Sequence, residues 1–213
     1  ALYESVRGCP FRCAFCNYPF LFGDTKFRIR TAEKIAEDWE RLAAHGFRKI
    51  SCLDSLFTMP RHRLRRLCDL LIERELPLQW TCFARADDLV DPHICRMLKH
   101  AGCEKVLIGV ESGSQEMLDN MNKRTSVAAN AQALQNCREA GITTSVSLIV
   151  GFPGETEATL EQTRAFLSEH PPDIFHVYIF SVRSEQMPIL TRSSANHFQL
   201  KIHDDGSAGQ PYW

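Results

Sequence analysis

The chain has 213 residues, of which 44% are hydrophobic and 24% charged, which is the composition of a globular domain with a sizeable core. Its formal net charge of −1 gives no basic footprint for nucleic acid or for an anionic membrane. No apolar run reaches the roughly 18 residues that span a bilayer. Nine cysteines, an odd number without paired spacing, argue against a secreted disulfide framework and indicate a reducing, cytoplasmic location.

The basic residues form one local run, Arg61-His62-Arg63-Leu64-Arg65-Arg66, at the start of a predicted helix. We expect this run to be a solvated face. The sequence begins at Ala1 rather than at Met, and Pro211-Tyr212-Trp213 form no terminating pattern. We therefore expect a fragment of a longer protein, with further domains on either side.

Strand-like and helix-like segments alternate six times along the chain. The predicted strands are residues 2–6, 49–53, 79–84, 105–110, 144–150 and 174–180. They are short and apolar, as in buried parallel sheets, and amphipathic segments that end at glycines such as Gly46 and Gly141 separate them. Right-handed crossovers place such helices outside the sheet, and six units are too few to close an eight-stranded barrel. The pattern predicts an α/β fold, a partial (β/α)6 TIM-like barrel of parallel strands with helices outside.

The strand and helix pattern fades after Phe180. Residues 193–213 are polar, show no helix period and contain a turn signal at Asp204-Asp205-Gly206. We therefore expect a core domain over residues 1–182 and a C-terminal extension over residues 183–213.

Three cysteines, Cys9, Cys13 and Cys16, stand within eight residues directly after the first predicted strand. Three thiolates in one loop can converge on a single metal centre. A structural zinc site takes four ligands, and an iron–sulfur cluster that only carries an electron also takes four. No second pair follows, because the other six cysteines are scattered singly. The loop would leave one iron open to a non-protein ligand, as in catalytic metal sites, although a redox-sensitive loop, a zinc knuckle and a ferredoxin remain alternatives.

Polar residues follow the predicted strands, at the sheet edge where parallel α/β proteins bind ligands. Asp54 follows the second strand, Arg85 the third, Glu111 and Ser112 the fourth, and Gly151 the fifth. Each also has a plain structural interpretation, such as a turn cap for Asp54 or an ion pair with Asp87 for Arg85.

Cys9, Cys13 and Cys16, with Phe15 directly before the third cysteine, resemble the signature of the radical SAM superfamily. The resemblance covers about residues 3–180, and further matching segments follow the family order. They are Arg85-Ala86-Asp87, Gly109-Val110-Glu111-Ser112-Gly113, Met121-Asn122-Lys123 and the segment from Ser147 to Glu155. The resemblance implies that the three cysteines hold a [4Fe–4S] cluster whose open iron binds S-adenosylmethionine (SAM). Reductive cleavage of SAM would give methionine and a 5′-deoxyadenosyl radical, which abstracts hydrogen from a substrate.

The resemblance also implies roles for residues at the strand ends. Four of them are expected to position the polar groups of SAM: Asp54, Arg85, Glu111 and Ser112. Four others are expected to flank its adenine: Phe15, Ile149, Val150 and Gly151. The implied partners are a small-molecule substrate and a flavodoxin- or ferredoxin-type electron donor, without nucleic acid or membrane.

The segment Asp54-Ser55-Leu56-Phe57 looks like the Asp-Asp-x-Phe of a subgroup that includes cobalamin-dependent enzymes and methylthiotransferases. The second Asp of that pattern is Ser55 here. We expect a cobalamin-binding radical SAM enzyme that performs methyl transfer, with cobalamin held by a domain outside this chain. The alternatives are a methylthiotransferase-like enzyme and a non-enzymatic iron–sulfur electron carrier, which would need full protein ligation of its cluster.

Overall fold

A six-stranded parallel sheet, whose strand order follows the chain, forms the centre of the molecule. Its strands are β1 (Leu2–Tyr3), β2 (Lys49–Cys52), β3 (Gln79–Ala84), β4 (Cys103–Glu111), β5 (Thr143–Val150) and β6 (Ile174–Ile179). The computed structural model describes residues 1–23, 26–202 and 208–209. The turn predicted at residues 204–206 lies outside the described residues. The prediction of six strands joined by helical crossovers is correct.

Helices connect the strands, and some of them begin at a residue whose side chain accepts a hydrogen bond from a first-turn amide. They are α1 (Ala32–Ala44), α2 (Arg61–Glu73), α3 (Ala86–Leu89), α4 (Pro92–His100), α5 (Gln115–Asn120), α6 (Val127–Glu139), α7 (Glu157–Glu169) and α8 (Arg192–His197). The Thr31 side chain accepts a hydrogen bond from the Lys34 amide at the start of α1, and Asp91 caps α4 in the same way. These two caps fix where α1 and α4 begin.

The first strand is shorter than predicted. Only Leu2–Tyr3 pairs with β2, whereas Val6–Arg7 pairs antiparallel with Arg28–Ile29. The expected strand over residues 2–6 is wrong at its carboxyl end, because the chain leaves the sheet after Tyr3 and enters the cysteine loop.

The main core lies between the sheet and its helices and centres on three aromatic rings. These are Trp39 on α1, Phe57 in the loop after β2, and Trp80 on β3. Each is at most 1% exposed, and the ring centroids lie 5.2–6.1 Å apart. Burying each such side chain stabilises the fold by roughly 1.5–3 kcal/mol. This cluster fixes β2 and β3, the strands that lead into the predicted site.

Part of the basic run is buried. Arg61, His62, Arg65 and Arg66 are exposed, but Arg63 is only 4% exposed, and its guanidinium donates to the Phe57 carbonyl over 2.6 Å. The expectation of a wholly solvated face is wrong at this position, because Arg63 falls on the inward side of α2 beside Leu64.

The C-terminal segment packs back onto the barrel through a smaller apolar core. Met187 and Ile189 are buried there, and the Phe198 ring meets the Phe152 ring edge-on at 5.8 Å. The prediction of no helix beyond residue 193 is wrong, since α8 spans Arg192–His197. A six-residue helix is too short to show a period in its sequence. Among the described residues, no helix has the length and apolarity to cross a membrane.

Candidate active site

The three cysteines of the first loop line one cavity of about 170 Å³. Strand ends form its opposite wall, as expected for a parallel sheet. Its lining includes Cys9, Phe11, Cys13, Phe15, Cys16, Tyr18, Ser55, Arg85, Gly109, Glu111, Lys123 and Ser147. The structure thus brings together the three predicted cysteines and three of the predicted SAM-binding residues.

The cavity thiols are unpaired and differ in burial. Cys13 is buried, and Cys9 and Cys16 are half-buried. Burial raises the pKa of Cys9, and it raises the pKa of Cys16 to about 11. The nearby Lys123 ammonium opposes both shifts. Because metal ligation requires thiolates, metal binding here must displace protons.

The chemistry of these donors bears on which metal group they fit. Three cysteines of one loop line a single cavity. Thiolates are soft ligands that suit iron–sulfur clusters as well as zinc. The donor set therefore fits a [4Fe–4S] cluster that keeps one iron open to a non-protein ligand.

Glu111 enters the cavity because β4 is irregular at its end. The register with β5 shifts between Gly109 and Glu111, and Glu111 has a φ of +62°. The Ser112 amide donates to the Val110 carbonyl over 2.8 Å and closes this tight turn. A left-handed conformation is rare for a residue with a side chain and costs about 1–3 kcal/mol. The strained bulge turns the carboxylate of Glu111 towards the cysteines.

Lys123 is the counter-ion of Glu111. Its Nζ donates to Oε1 of Glu111 over 2.6 Å, and the two side chains are 8% and 7% exposed. The same ammonium lies 5.5 Å from the centre of the Phe15 ring, within range of a cation–π interaction. Gly109 makes room for the pair, since a Cβ there would lie 2.7 Å from the Lys123 Nζ.

Arg85 is anchored at the cavity wall by several contacts. Its guanidinium stacks 3.9 Å from the centre of the Phe11 ring, and it donates to Asp87 and to the carbonyls of Lys123 and Arg124. The ion pair with Asp87, foreseen as a structural interpretation, is present at 3.0 Å. Arg85 therefore both faces the cavity and fixes the chain that carries Lys123.

A second hollow of about 260 Å³ adjoins the cavity across Phe15. Ile149, Asn17, Tyr178 and Arg183 are among its lining residues. Phe15 lines both spaces and therefore lies at their boundary.

Four predicted site residues lie off the lining of both spaces. Asp54 is 0% exposed and bonds to the backbone of residues 5 and 6, while the Ser112 hydroxyl lies 3.0 Å from that of Thr163. Val150 accepts a hydrogen bond from the Phe180 amide, and the Gly151 amide donates to Glu155. These contacts are structural, and they leave the predicted SAM contacts of the four residues untested.

The predicted site residues did not include several residues of the lining, among them Phe11, Tyr18, Ser55 and Lys123. For Lys123 there was a signal, the Met121-Asn122-Lys123 segment already noted for its family order. Nothing in the sequence separates Phe11 or Tyr18 from other loop aromatics, because only the fold shows which rings face the cysteines.

The sequence matches the Radical SAM superfamily over residues 3–167, and the chain belongs to this superfamily. The superfamily uses a [4Fe–4S] cluster and SAM, so the predicted enzyme class and these two cofactors are confirmed at family level.

Three individual proteins show how far the similarity extends. The anaerobic magnesium-protoporphyrin IX monomethyl ester cyclase of Cereibacter sphaeroides is 33% identical over 82% of this chain and 29% of its own length. The ribosomal protein uS12 methylthiotransferase RimO of Gloeobacter violaceus is 29% identical over 87% of this chain and 44% of its own. The structure of the radical SAM methyltransferase TsrM from Kitasatospora setae, with cobalamin and a [4Fe–4S] cluster bound, has a TM-score of 0.81 at 22% identity.

The TsrM alignment covers 89% of this chain and 38% of that one, and it confirms the predicted partial-barrel fold. This chain spans less than half the length of each of the three proteins.

Proposed function

We propose that this chain is the catalytic core of a cobalamin-dependent radical SAM enzyme, with a [4Fe–4S] cluster held by Cys9, Cys13 and Cys16. The observation that supports it best is the convergence of three free thiols and a buried Lys123–Glu111 ion pair on one cavity. When bound, the cluster supplies the electron that cleaves SAM into methionine and a 5′-deoxyadenosyl radical. The chain's own residues bind and orient SAM and keep water away from it.

The methionine end of SAM carries an ammonium and a carboxylate, and the cavity offers the complementary charges. In our proposal, Glu111 accepts hydrogen bonds from the ammonium, while Lys123 and Arg85 face the carboxylate. The contacts to the ammonium and to the carboxylate would both be shielded from water, so each would be stronger than the same contact at the protein surface. When SAM enters, Glu111 and Lys123 would separate from each other, and each would pair with the group of opposite charge on SAM.

The adjoining hollow suits the adenine end of SAM. Phe15 and Ile149 supply apolar walls there, and the backbone at Val150 and Gly151 continues β5 beside them. We assign Asp54 and Ser112 supporting roles, because their polar groups are already bonded within the protein.

The reaction beyond SAM cleavage is proposed from the relatives. TsrM contains cobalamin and is described as a methyltransferase, and a second TsrM structure holds tryptophan as substrate. We accordingly propose methyl transfer to a small molecule, with cobalamin bound by a part of the whole protein outside this chain. The similarity to RimO over 87% of this chain supports methylthiolation as the second candidate.

Three further proposals concern the setting of the enzyme. A flavodoxin- or ferredoxin-type protein would donate the electron. A reducing cytoplasm is supported by nine cysteines that are all free thiols. Residues 1–182 would form the radical SAM core, with the extension from residue 183 packed on it through Phe198.

The first experiment measures SAM cleavage by the full-length protein. The protein is reconstituted anaerobically with iron and sulfide, reduced with dithionite, given SAM and analysed for 5′-deoxyadenosine by mass spectrometry. We expect product from wild type and none from Cys13→Ala. The matched control is Cys68→Ala, which removes a buried thiol from α2 and should retain activity in the folded fraction. A four-iron cluster that gives no product with SAM would contradict the proposal and favour an electron carrier.

A second experiment separates the two candidate reactions. SAM with a labelled methyl group is supplied with and without cobalamin, and products are analysed for added methyl or methylthio groups. Cobalamin-dependent gain of one methyl group is expected. Transfer of a sulfur atom together with the methyl group would replace methyl transfer by methylthiolation.

A further inference from the structure

The segment that leads into the cysteine loop is held by side-chain hydrogen bonds at the point where the backbone pairing of β1 with β2 ends. The last backbone bond between β1 and β2 runs from the Leu53 amide to the Tyr3 carbonyl over 2.9 Å. Directly afterwards, Oδ1 of Asp54 accepts from the amides of Ser5 and Val6 over 2.6 and 3.0 Å. The other carboxylate oxygen accepts from the Ser5 hydroxyl.

Ser55 continues the same pattern one step closer to the cysteines. Its hydroxyl donates to the Gly8 carbonyl over 3.0 Å, directly before Cys9. On the other side of the segment, Gly8 has a φ of +83°, and a Cβ there would collide with the Lys26 carbonyl. The backbone at Gly8 is thus bonded to Ser55 on one side and packed closely against the Lys26 carbonyl on the other.

The Asp54 carboxylate is buried together with a cation. Asp54 is 0% exposed and Arg63 is 4% exposed. Nη1 of Arg63 donates to the Ser5 hydroxyl over 3.3 Å, so one hydroxyl joins the two charged groups. Nη2 of Arg63 is fixed by the Phe57 carbonyl. A buried charge with this many partners is costly to disturb, which favours one position for the residues that it holds.

We propose that Asp54 and Ser55, backed by Arg63, are positioning residues that set the place of Cys9 for cluster binding. The inference rests on the cluster proposed above and gives Asp54 a role other than SAM contact. It also accounts for Ser55, where the related pattern has Asp. A hydroxyl can donate to the Gly8 carbonyl, whereas an ionised carboxylate cannot.

The first test uses the full-length protein without its cluster, so it does not depend on SAM chemistry. Iodoacetamide labelling of Cys9 is followed by peptide mass spectrometry under native conditions. We expect roughly tenfold faster labelling in Asp54→Asn and a smaller increase in Ser55→Ala, because the segment that leads into the cysteine loop loosens. Ser55→Thr, which keeps the hydroxyl, should restore the wild-type rate.

The matched control is Asp88→Asn. Asp88 is also a buried carboxylate bonded to a hydroxyl, that of Thr58 at 2.6 Å, and its side-chain bonds among the described residues, to Thr58 and Arg61, do not reach the cysteine loop. Equal labelling of Cys9 in the Asp54→Asn and Asp88→Asn proteins would overturn the proposal. If Asp54→Asn does not fold, the Ser55→Ala and Ser55→Thr pair decides the question, since both leave the buried carboxylate intact.

The second test measures iron content and the EPR spectrum of the reduced cluster after reconstitution. We expect Asp54→Asn to bind less iron per folded chain than Asp88→Asn and to show an altered spectrum. Iron content and spectrum identical to those of Asp88→Asn would count against positioning. Wild-type protein that assembles no four-iron cluster would contradict the proposed function instead, and the labelling result would still decide whether Asp54 and Ser55 position Cys9.

Discussion

Lys123 and Glu111 form an ion pair 2.6 Å long inside the cysteine-lined cavity, with both side chains more than nine-tenths buried. Since breaking a buried pair leaves an uncompensated charge, Lys123→Met should destabilise the protein by about 3–5 kcal/mol. It should also weaken SAM binding more than tenfold in titration calorimetry of the reconstituted protein. Lys123→Arg keeps the positive charge and should therefore lose less stability and less SAM affinity than Lys123→Met. Unchanged SAM affinity in Lys123→Met would remove Lys123 from the SAM site.

Gly109 should be intolerant of any side chain. A Cβ at this position would collide with the Glu111 carboxylate and lie 2.7 Å from the Lys123 ammonium. Gly109→Ala is expected to displace the pair and to lower SAM affinity about tenfold, as measured by equilibrium binding. Gly113→Ala is the matched control, because its Cβ would meet Thr163 and Gln162 on α7 instead. It should reduce stability and leave the affinity of the folded fraction unchanged.

Arg85 should not be replaceable by lysine. Its planar group reaches Asp87 and the carbonyls of Lys123 and Arg124 together, which an ammonium cannot do. Arg85→Lys is expected to cost about 1–3 kcal/mol of unfolding free energy in urea titrations. Arg61→Lys, at an exposed arginine that donates to the Asp87 carbonyl, should change stability by less than about 0.5 kcal/mol. Equal effects of the two substitutions would contradict the anchoring role of Arg85.

Replacing Ser112 tests whether its hydroxyl stabilises the fold or contacts SAM. Its hydroxyl lies 3.0 Å from that of Thr163 and accepts from the Ser114 amide over 3.1 Å. Ser112→Ala should therefore cost about 1 kcal/mol of stability while leaving SAM affinity unchanged. A tenfold loss of affinity without a loss of stability would restore Ser112 as a SAM ligand.

Asp173 links the starts of β5 and β6 and makes stability depend on pH. Its carboxylate accepts hydrogen bonds from the Thr144 amide and hydroxyl over 2.7 and 2.9 Å. The hydrogen bond from the amide is the main cause of its lowered pKa. A lowered folded-state pKa stabilises the protein above the unfolded value of about 3.9, and this contribution is lost as pH falls through the folded value.

Asp173→Ala tests this linkage. Because Asp173 is exposed and water screens its charge, the substitution should reduce the unfolding free energy by only about 0.5 kcal/mol at pH 7, and the difference from wild type should shrink as the pH drops below about 3.9. Urea unfolding at several pH values measures it. A difference that stays constant down to pH 3 would contradict the role of the ionised carboxylate.

The fold was largely predictable because its information is local. Alternating apolar strands and amphipathic helices place six strands, and capping residues such as Thr31 mark where helices begin. The same logic failed at β1, whose end is decided by the pairing of Val6–Arg7 with Arg28–Ile29, more than twenty residues away. It also failed at Arg63, because a basic run carries no mark of which guanidinium turns inward.

The sequence by itself identified the family and singled out the three cysteines that we propose as cluster ligands, because their fixed spacing in one loop is a local pattern. Only the tertiary structure decided which strand-end groups share the cavity with them. Glu111 reaches it through a strained bulge and Lys123 through the loop after α5, whereas Asp54 turns away to bind the segment before Cys9. The direction of a side chain at a strand end depends on backbone angles and on distant partners, and these exist only once the sheet has formed.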